Sequence, residues 1–500
     1  MGAMALLIST PASGQGVSVG EFDGHGDVGN PAIPGTATFN AVSRDYHLSA
    51  GGTNMWEVRD EFQFVWKRMT GDFILQARIE FLGEGVDPHR KAGLIVRSSM
   101  DDDSPYADAM VHGDGLTSLQ FRRTKGAITE QIESPAAGSD MVRIERQGDR
   151  YIMSVARFGE LFTVSEVEDI ELGDEVYVGL ALCSHNPEVT ERAIFHDVRL
   201  TRPAAVDFQP YRDYIGSRLE VLDVASGDRE VIFRSERPFE APNWTNDGNS
   251  LVFNASGTDP DWRGRLHRFD LSTRQSTIID TGERIRNNND HVLSFDGTML
   301  AISDQSLEGV GSTIFTVPVS GGTPTRITTE APSYMHGWSP DARWLIFTGR
   351  RGDAWDIYRI LSDGGGMEER LTSDDAVDDG PEYTPDGAFI YFNSARTGLM
   401  QIWRMAPDGS NQEQVTDDGL NNWFPHISPD GRWISMISFP DTIEPSDHPY
   451  YKRVYLRVMP IEGGTPRVVA YLYGGQGTIN VPSWSPDSTH LAFVSNTGEL

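Results

Sequence analysis

The chain has 500 residues, with 73 acidic against 42 basic side chains and a formal charge of -31. That excess argues against nucleic acid as a partner, because phosphate binding needs clustered Lys and Arg, and it disfavours anionic membrane surfaces. The single cysteine, Cys183, rules out a disulfide framework and a thiolate metal site, and no apolar run reaches the roughly 18 residues of a membrane span.

Fifty-one glycines and 28 prolines suit a turn-rich, all-β chain, and no long 3.6-period segment points to helix. Length alone allows two to four domains. Lysine is confined to Lys67, Lys91, Lys125 and Lys452, a trait of a high-GC or salt-adapted source that bears on solubility. At the start, Met1-Gly2-Ala3-Met4 reads as a cloning scar. The apolar stub Ala5-Leu6-Leu7-Ile8 before the small residues of Ser9-Thr10-Pro11-Ala12-Ser13-Gly14 reads as the tail of a secretory signal, which predicts a periplasmic or secreted protein.

Residues 18–203 form the first predicted domain. The run from Phe73 to Phe81 alternates apolar and polar over most of its length. Similar runs are Ala92–Arg97, Ser118–Arg123, Met141–Arg146, Tyr151–Ala156 and Val176–Leu180. Strands at this spacing, separated by Gly/Asp turns, predict a two-sheet sandwich. The series Thr70-Gly71-Asp72-Phe73, Lys91-Ala92-Gly93-Leu94 and Tyr177-Val178-Gly179-Leu180 resembles concanavalin-like jelly-roll domains. Such domains occur beside carbohydrate-processing modules, and their concave face can bind sugar through aromatics. Trp56 and Trp66 are candidates for that role, or for plain core packing. The linker, Arg202 to Pro210, is short and is followed by Tyr211 and Tyr214.

Residues 211–500 carry a repeat. Pro425-His426-Ile427-Ser428-Pro429-Asp430-Gly431 is a strand and a tight turn: Pro fixes φ, Asp bonds its own backbone and Gly accepts positive φ. Six such hairpins align on positions 244, 293, 338, 383, 427 and 484, in steps of 49, 45, 45, 44 and 57. A period of about 40–50 residues built of short strands is that of a propeller blade. The repeat opens on an outer strand pair (Leu219–Leu222, Glu230–Phe233) and ends on an inner pair (Val481 to Val494), so the two ends should complete one blade of six.

The segments leading into the inner strands are unusually polar, and they should converge on one mouth of the channel. His291, His336, Glu382 and His426 are the candidate catalytic residues there: imidazole plus carboxylate suits general acid–base work. The three histidines also suit a divalent metal, Mn, Zn, Fe or Ca; the alternative is that each bonds a neighbouring carbonyl. Candidate substrate contacts are Asn243, Asp290, Tyr334, Asp378, Asp379, Trp423, Asn480, Arg350 and Tyr450. Arg396 reads as a structural bracket. The 57-residue step holds an insertion, Phe439 to Tyr451, expected to be a lid or substrate wall.

The pattern Gly337-Trp338-Ser339-Pro340-Asp341, Asp356-Ile357-Tyr358, Arg370-Leu371-Thr372 resembles the TolB-type (PD40, WD40-like) six-bladed propeller across roughly residues 211–500. It is similar also to oligogalacturonate lyases, which have seven blades and hold a divalent metal with several His. The resemblance implies one fold with several functions. One reading is a glycan-cleaving enzyme, hydrolase or lyase, acting on an oligo- or polysaccharide. In the lyase case a His or Arg would help remove the C5 proton while a cation neutralises the uronate. The other is a non-catalytic exported binding protein recognising a peptide, protein or glycan.

Overall fold

The computed structural model describes residues 17–500; the two N-terminal segments read above as a scar and a signal tail lie outside them. Among the described residues every regular element is a β-strand, and the chain divides into two compact units after Leu200.

The first unit contains two seven-stranded sheets. One runs Gly24–Val28, Phe62–Thr70, Glu175–Cys183, Lys91–Arg97, Tyr106–His112, Thr117–Arg122, Glu130–Glu133; the other runs Thr163–Val167, Arg150–Ala156, Met141–Gln147, Phe73–Phe81, Glu191–Thr201, Tyr46–Ala50, Thr36–Phe39. Side chains alternate across each strand, so Val65 joins the core shared by both sheets while its neighbour Phe64 joins a second cluster on the far face of the first sheet. Cys183 is buried in that second cluster, where burial pushes its thiol up to about 11. Trp66 packs against the same cluster and Trp56 lies over the Lys91 ammonium. Asp60 is completely buried and is paired with both Arg97 at 2.7 Å and Arg122 at 2.8 Å, which satisfies a charge that would otherwise be prohibitive there.

The second unit is a six-bladed propeller. Five blades are four-stranded sheets whose inner strands are Phe239–Trp244, Asn287–Leu293, Ser333–Trp338, Asp378–Tyr383 and Leu420–Ile427, here blades one to five. The sixth pairs Gly216–Asp223 with Arg229–Ser235 on one side and with His490–Thr497 on the other, and a bridge from Leu491 to Trp484 continues it inward. The two ends of the repeat region thus complete one blade, leaving no open edge between first and last.

The repeated turn has a reason visible in each copy. A Ser or Thr hydroxyl donates to the turn Asp at 2.5–2.6 Å in all six: Thr245 to Asp247, Ser294 to Asp296, Ser339 to Asp341, Thr384 to Asp386, Ser428 to Asp430 and Ser485 to Asp487. The same hydroxyls accept the backbone N–H of the next strand's start, as from Trp344 at 2.9 Å. Further out, Thr328, Thr372 and Thr416 accept the amides of Ile314, Ile357 and Ile402 at 2.9–3.0 Å, which explains why an apolar residue followed by Thr recurs, as Ile327-Thr328, Leu371-Thr372 and Val415-Thr416. Between blades, the Trp338 indole donates to the Val292 carbonyl and that of Trp484 to His426.

Each of the five complete inner strands carries a β-bulge. In blades one, three, four and five, one extra residue is inserted relative to the partner strand; in blade two, between Asn287 and His291, there are two. Ala241, Gly380 and Phe424, at equivalent places in three blades, adopt left-handed φ of 57°, 60° and 54°. A bulge re-aims side chains, and these bulges turn the residues before them toward the channel.

Candidate functional site

The inner strands line two cavities at successive levels. Counting back four residues from each aligned position gives Glu240, Asn289, Tyr334, Asp379, Trp423 and Asn480, and all six line a cavity of about 620 Å³. One residue back, Asn243, Val292, Gly337 and Glu382 line a smaller cavity of about 300 Å³, walled by Trp338, Trp484 and the turn prolines.

The lining of the larger cavity includes the carboxyls of Glu240, Asp290 and Asp379. Asp379 accepts from Thr348 Oγ1 at 2.6 Å and from the Gly380 amide at 2.7 Å, and its Oδ1 lies 3.1 Å from His336 Nε2. His448, from the insertion, places Nε2 3.8 Å from the other oxygen. Burial works against the Asp379 charge, but the two imidazoles outweigh it and hold the carboxyl far below its usual range. His336 moves the other way: burial pushes it down, yet the hydrogen bond and charge of Asp379, with Asp290, leave it above 6.5. Asp290 is buried, takes 2.7 Å from Asn288 Nδ2, and is raised to about 6 by desolvation against the pull of His336. Glu240, held by Tyr450 Oη at 3.2 Å, is raised to about 7 by burial despite that hydrogen bond. One cavity therefore holds an ionised carboxylate beside two carboxyls whose neutral form persists near pH 6–7.

Aromatic rings wall the same space. Phe424 stacks on His336 at 6.0 Å, the His448 ring meets Trp423 edge-on at 4.4 Å, and Tyr334 tilts against Trp355 at 5.8 Å. Tyr211 and Tyr214 pack edge-on against Tyr450 at 5.6 and 6.2 Å at the rim.

The family described as TolB beta propeller domain (PD40) matches residues 336–448. An uncharacterised protein of Agrobacterium fabrum, Atu1656, is 42% identical over 279 residues, spanning 56% of this chain and 92% of that protein. The solved structure of a putative TolB from Agrobacterium tumefaciens aligns with a TM-score of 0.54 at 40% identity, over 57% of this chain and all of that one. The chain belongs to the TolB β-propeller family. The Tol-Pal system protein TolB of Francisella tularensis is 25% identical over 287 residues, 55% of this chain and 61% of that protein.

In this TolB-type propeller the four residues proposed for catalysis do not share one cavity. His336 is the inserted residue of its bulge and lines the larger cavity. His291 occupies the same aligned position, but the wider bulge of blade two begins earlier, so His291 remains in the ladder opposite Ile302. It is fully buried, its Nε2 lies 3.3 Å from the Val252 carbonyl, and desolvation drops it to about 4. The neighbouring Asp290 is turned into the cavity instead. Glu382 lines the smaller cavity, where it takes His426 Nδ1 at 2.7 Å and the Ile427 amide at 2.9 Å; His426 Nε2 is bonded to the Ile479 carbonyl. Both ring nitrogens of His426 are thus engaged, and His291, His336 and His426 do not converge as a metal-ligand set. Among the described residues no group of three or more His, Cys, Asp or Glu is disposed to hold a metal ion.

Of the proposed contacts, Asp290, Tyr334, Asp379, Trp423, Asn480 and Tyr450 line the larger cavity. Asn243 lines the smaller one and ties blades together, donating to the Pro482 carbonyl at 2.6 Å and accepting the Leu293 amide at 3.1 Å. Asp378 points the other way, into a bracket with Arg396 at 2.8 Å. Arg350 is outside both linings, pairing weakly with Asp353 at 3.7 Å. Glu240 and His448 were not singled out from sequence. Glu240 holds the same repeat offset as Asp379, which is the signal that identifies it; His448 rides on an insertion that the repeat pattern does not describe.

Proposed function

We propose that this protein is a carbohydrate-active enzyme that hydrolyses a glycosidic bond in the larger cavity. The observation that carries this reading is one cavity lined both by Asp379, 3.1 Å from His336 Nε2 and hydrogen-bonded to Thr348, and by the buried Asp290, whose carboxyl burial raises while the imidazoles hold Asp379 low. Asp290 donates its proton to the glycosidic oxygen as the bond to the anomeric carbon breaks. Asp379 takes a proton from the water whose oxygen attacks that carbon, and exchange with solvent restores both groups. His336 and His448 keep Asp379 charged until the proton arrives, and the half-buried Tyr334 and Trp355 offer faces against which sugar rings pack. The two packed seven-stranded sheets of the first unit agree with a concanavalin-like, sugar-binding domain, and export to the periplasm or medium would bring both to a polysaccharide.

A second reading is a TolB-type binding disc for a peptide or protein. Family membership and the relatives named as Tol-Pal system proteins favour it. Screening oligosaccharides with the intact chain and with Asp290→Asn and Asp379→Asn decides between them. Turnover that falls at least 100-fold in both variants while sugar binding persists supports the enzyme. No turnover of any glycan, or turnover untouched by either change, leaves the binding protein.

A further inference from the structure

We propose that the smaller cavity is a second binding site, independent of the hydrolase reading, and that it takes a peptide segment carrying one large apolar side chain flanked by positive charge.

The well is built from the repeat itself. The aligned residue of every blade lines it: Trp244, Leu293, Trp338, Tyr383, Ile427 and Trp484. No residue lines both cavities. The larger one takes its lining four residues earlier, whereas these six stand just before their Ser/Thr turns. The smaller well therefore opens on the turn side of the ring, where Asn246, Phe295, Pro429 and Pro486 line it and are exposed. Two of its rings are fixed, because the Trp338 indole donates to the Val292 carbonyl at 2.9 Å and that of Trp484 to His426 at 3.0 Å. Glu382 lines the well with both oxygens engaged, by His426 and by the Ile427 amide, so the walls recognise by shape and apolar contact. A space of about 300 Å³ suits a single large side chain, the kind of anchor that dominates an interface when it fills a pocket.

Phe295 is the departure that points to a partner. Four blades have Pro at this turn position, Pro340, Pro385, Pro429 and Pro486, where it fixes φ. Phe295 gives the turn no such help, and it stands 40% exposed at the edge of the well. A large apolar side chain left in water beside an apolar well is a mark of an interaction site.

Charge sets the chemistry of that partner. In all six blades the next residue is an exposed aspartate: Asp247, Asp296, Asp341, Asp386, Asp430 and Asp487. Against them the same turns carry exposed Arg343 and Arg432, and Arg432 Nε is spent on Asp430 at 2.7 Å. Asp296 and Asp386 are held by hydroxyl and amide donors, which leave their charge in place. The rim is thus one carboxylate per blade around an apolar well. A small amine seated in the well meets few of them. A chain crossing the mouth sets residues on both sides of its anchor over carboxylates of different blades. A basic segment complements that ring and an acidic one is repelled by it.

The test uses the full-length protein with capped pentapeptides Lys-Gly-X-Gly-Lys, where X is Trp, Leu or Ala, with the Glu-flanked Trp peptide, and with phenethylamine. Calorimetry measures binding. The Lys-flanked Trp and Leu peptides should bind at least tenfold tighter than the Ala peptide and the Glu-flanked peptide. The advantage over the Glu-flanked peptide should shrink in about 0.5 M salt, where exposed charges are screened. Phe295→Ala should weaken the Trp peptide. Asp296→Asn combined with Asp386→Asn keeps side chains that can still accept in the turn, and should weaken that peptide and flatten its salt dependence. Asp290→Asn and Asp379→Asn, in the larger cavity, should leave peptide binding unchanged. Equal binding of all the peptides, no binding of any, or phenethylamine binding as tightly as the Trp peptide overturns the inference. So does peptide binding that survives Phe295→Ala but is lost with Asp290→Asn or Asp379→Asn. Self-association abolished by Phe295→Ala, without peptide binding, would give the well to a second copy of the chain and overturn it as well.

Discussion

Burial makes the ionised forms of Asp290 and Glu240 costly to the fold. A carboxyl whose folded pKa lies above its unfolded value binds more protons folded than unfolded, so its contribution to stability is full below the unfolded pKa and is lost as pH rises through the folded one. For Asp290 that window runs from 3.8 to about 6, and for Glu240 from 4.5 to about 7. At about 1.4 kcal/mol per unit, the Asp290 shift amounts to roughly 3 kcal/mol as an upper bound. Asp290→Asn and Glu240→Gln should therefore melt at or above the parent at pH 8 but not at pH 5; a melting-temperature profile from pH 5 to 8 that is parallel for parent and variants would contradict this. At this scale the sequence was half legible. Asp290, Tyr334, Asp379, Trp423 and Asn480 stand in the segments leading into the inner strands and do line one cavity. His291 could not be separated from His336 because a bulge leaves no mark in an alignment: one extra inserted residue moves a side chain from channel to ladder.

Among the elements, the hairpin turn was the most legible, since its Ser/Thr, Asp and Gly each have a local task that tertiary context does not override. The six turn carboxylates are all held below their ordinary value, led by the hydroxyl donor in five of them; at Asp430 burial is the largest influence, opposing the lowering, and Ser428 and Arg432 outweigh it. Their sign is opposite to that of Asp290. Stability is present above the unfolded pKa of 3.8 and is lost as pH falls toward the folded value, which for Asp487 is about 2. Replacing one, as in Asp341→Ala, removes the Ser339 hydroxyl bond and that to the Arg343 amide, and should cost about 1 kcal/mol near pH 7 and nearly nothing at pH 2–3. Urea titrations at the two pH values check it; an equal loss at both would assign the effect to turn geometry and not to the carboxylate's charge. The bulged strand ends and the Phe439–Tyr451 insertion were less legible, since where a long loop lays His448 and Tyr450 depends on partners supplied by other blades.

For the whole molecule, the ring was legible because half a blade stood at each end of the repeat region, and closure is what makes its cavities possible. Each blade's inner strand supplies one wall, so Glu240 of blade one, Asp379 of blade four and Asn480 of blade six face one space only while the ring is shut. The closing contacts are the register of Gly216–Asp223 with His490–Thr497, with Asn496 Nδ2 on Ser217 Oγ at 3.2 Å and the Ser495 hydroxyl on Glu220. Omitting residues 488–500 would expose two strand edges at once, that of Gly216–Asp223 and that of the Trp484 segment. The expected result is loss of near-ultraviolet circular dichroism and self-association through the open edges, visible by sedimentation. A synthetic peptide of residues 488–500 should restore both by adding back the missing strand. A shortened chain that stays monomeric, with an unchanged melting transition, would mean that the remaining blades hold the ring without their clasp, and the two cavities would then owe their shape to blade packing alone.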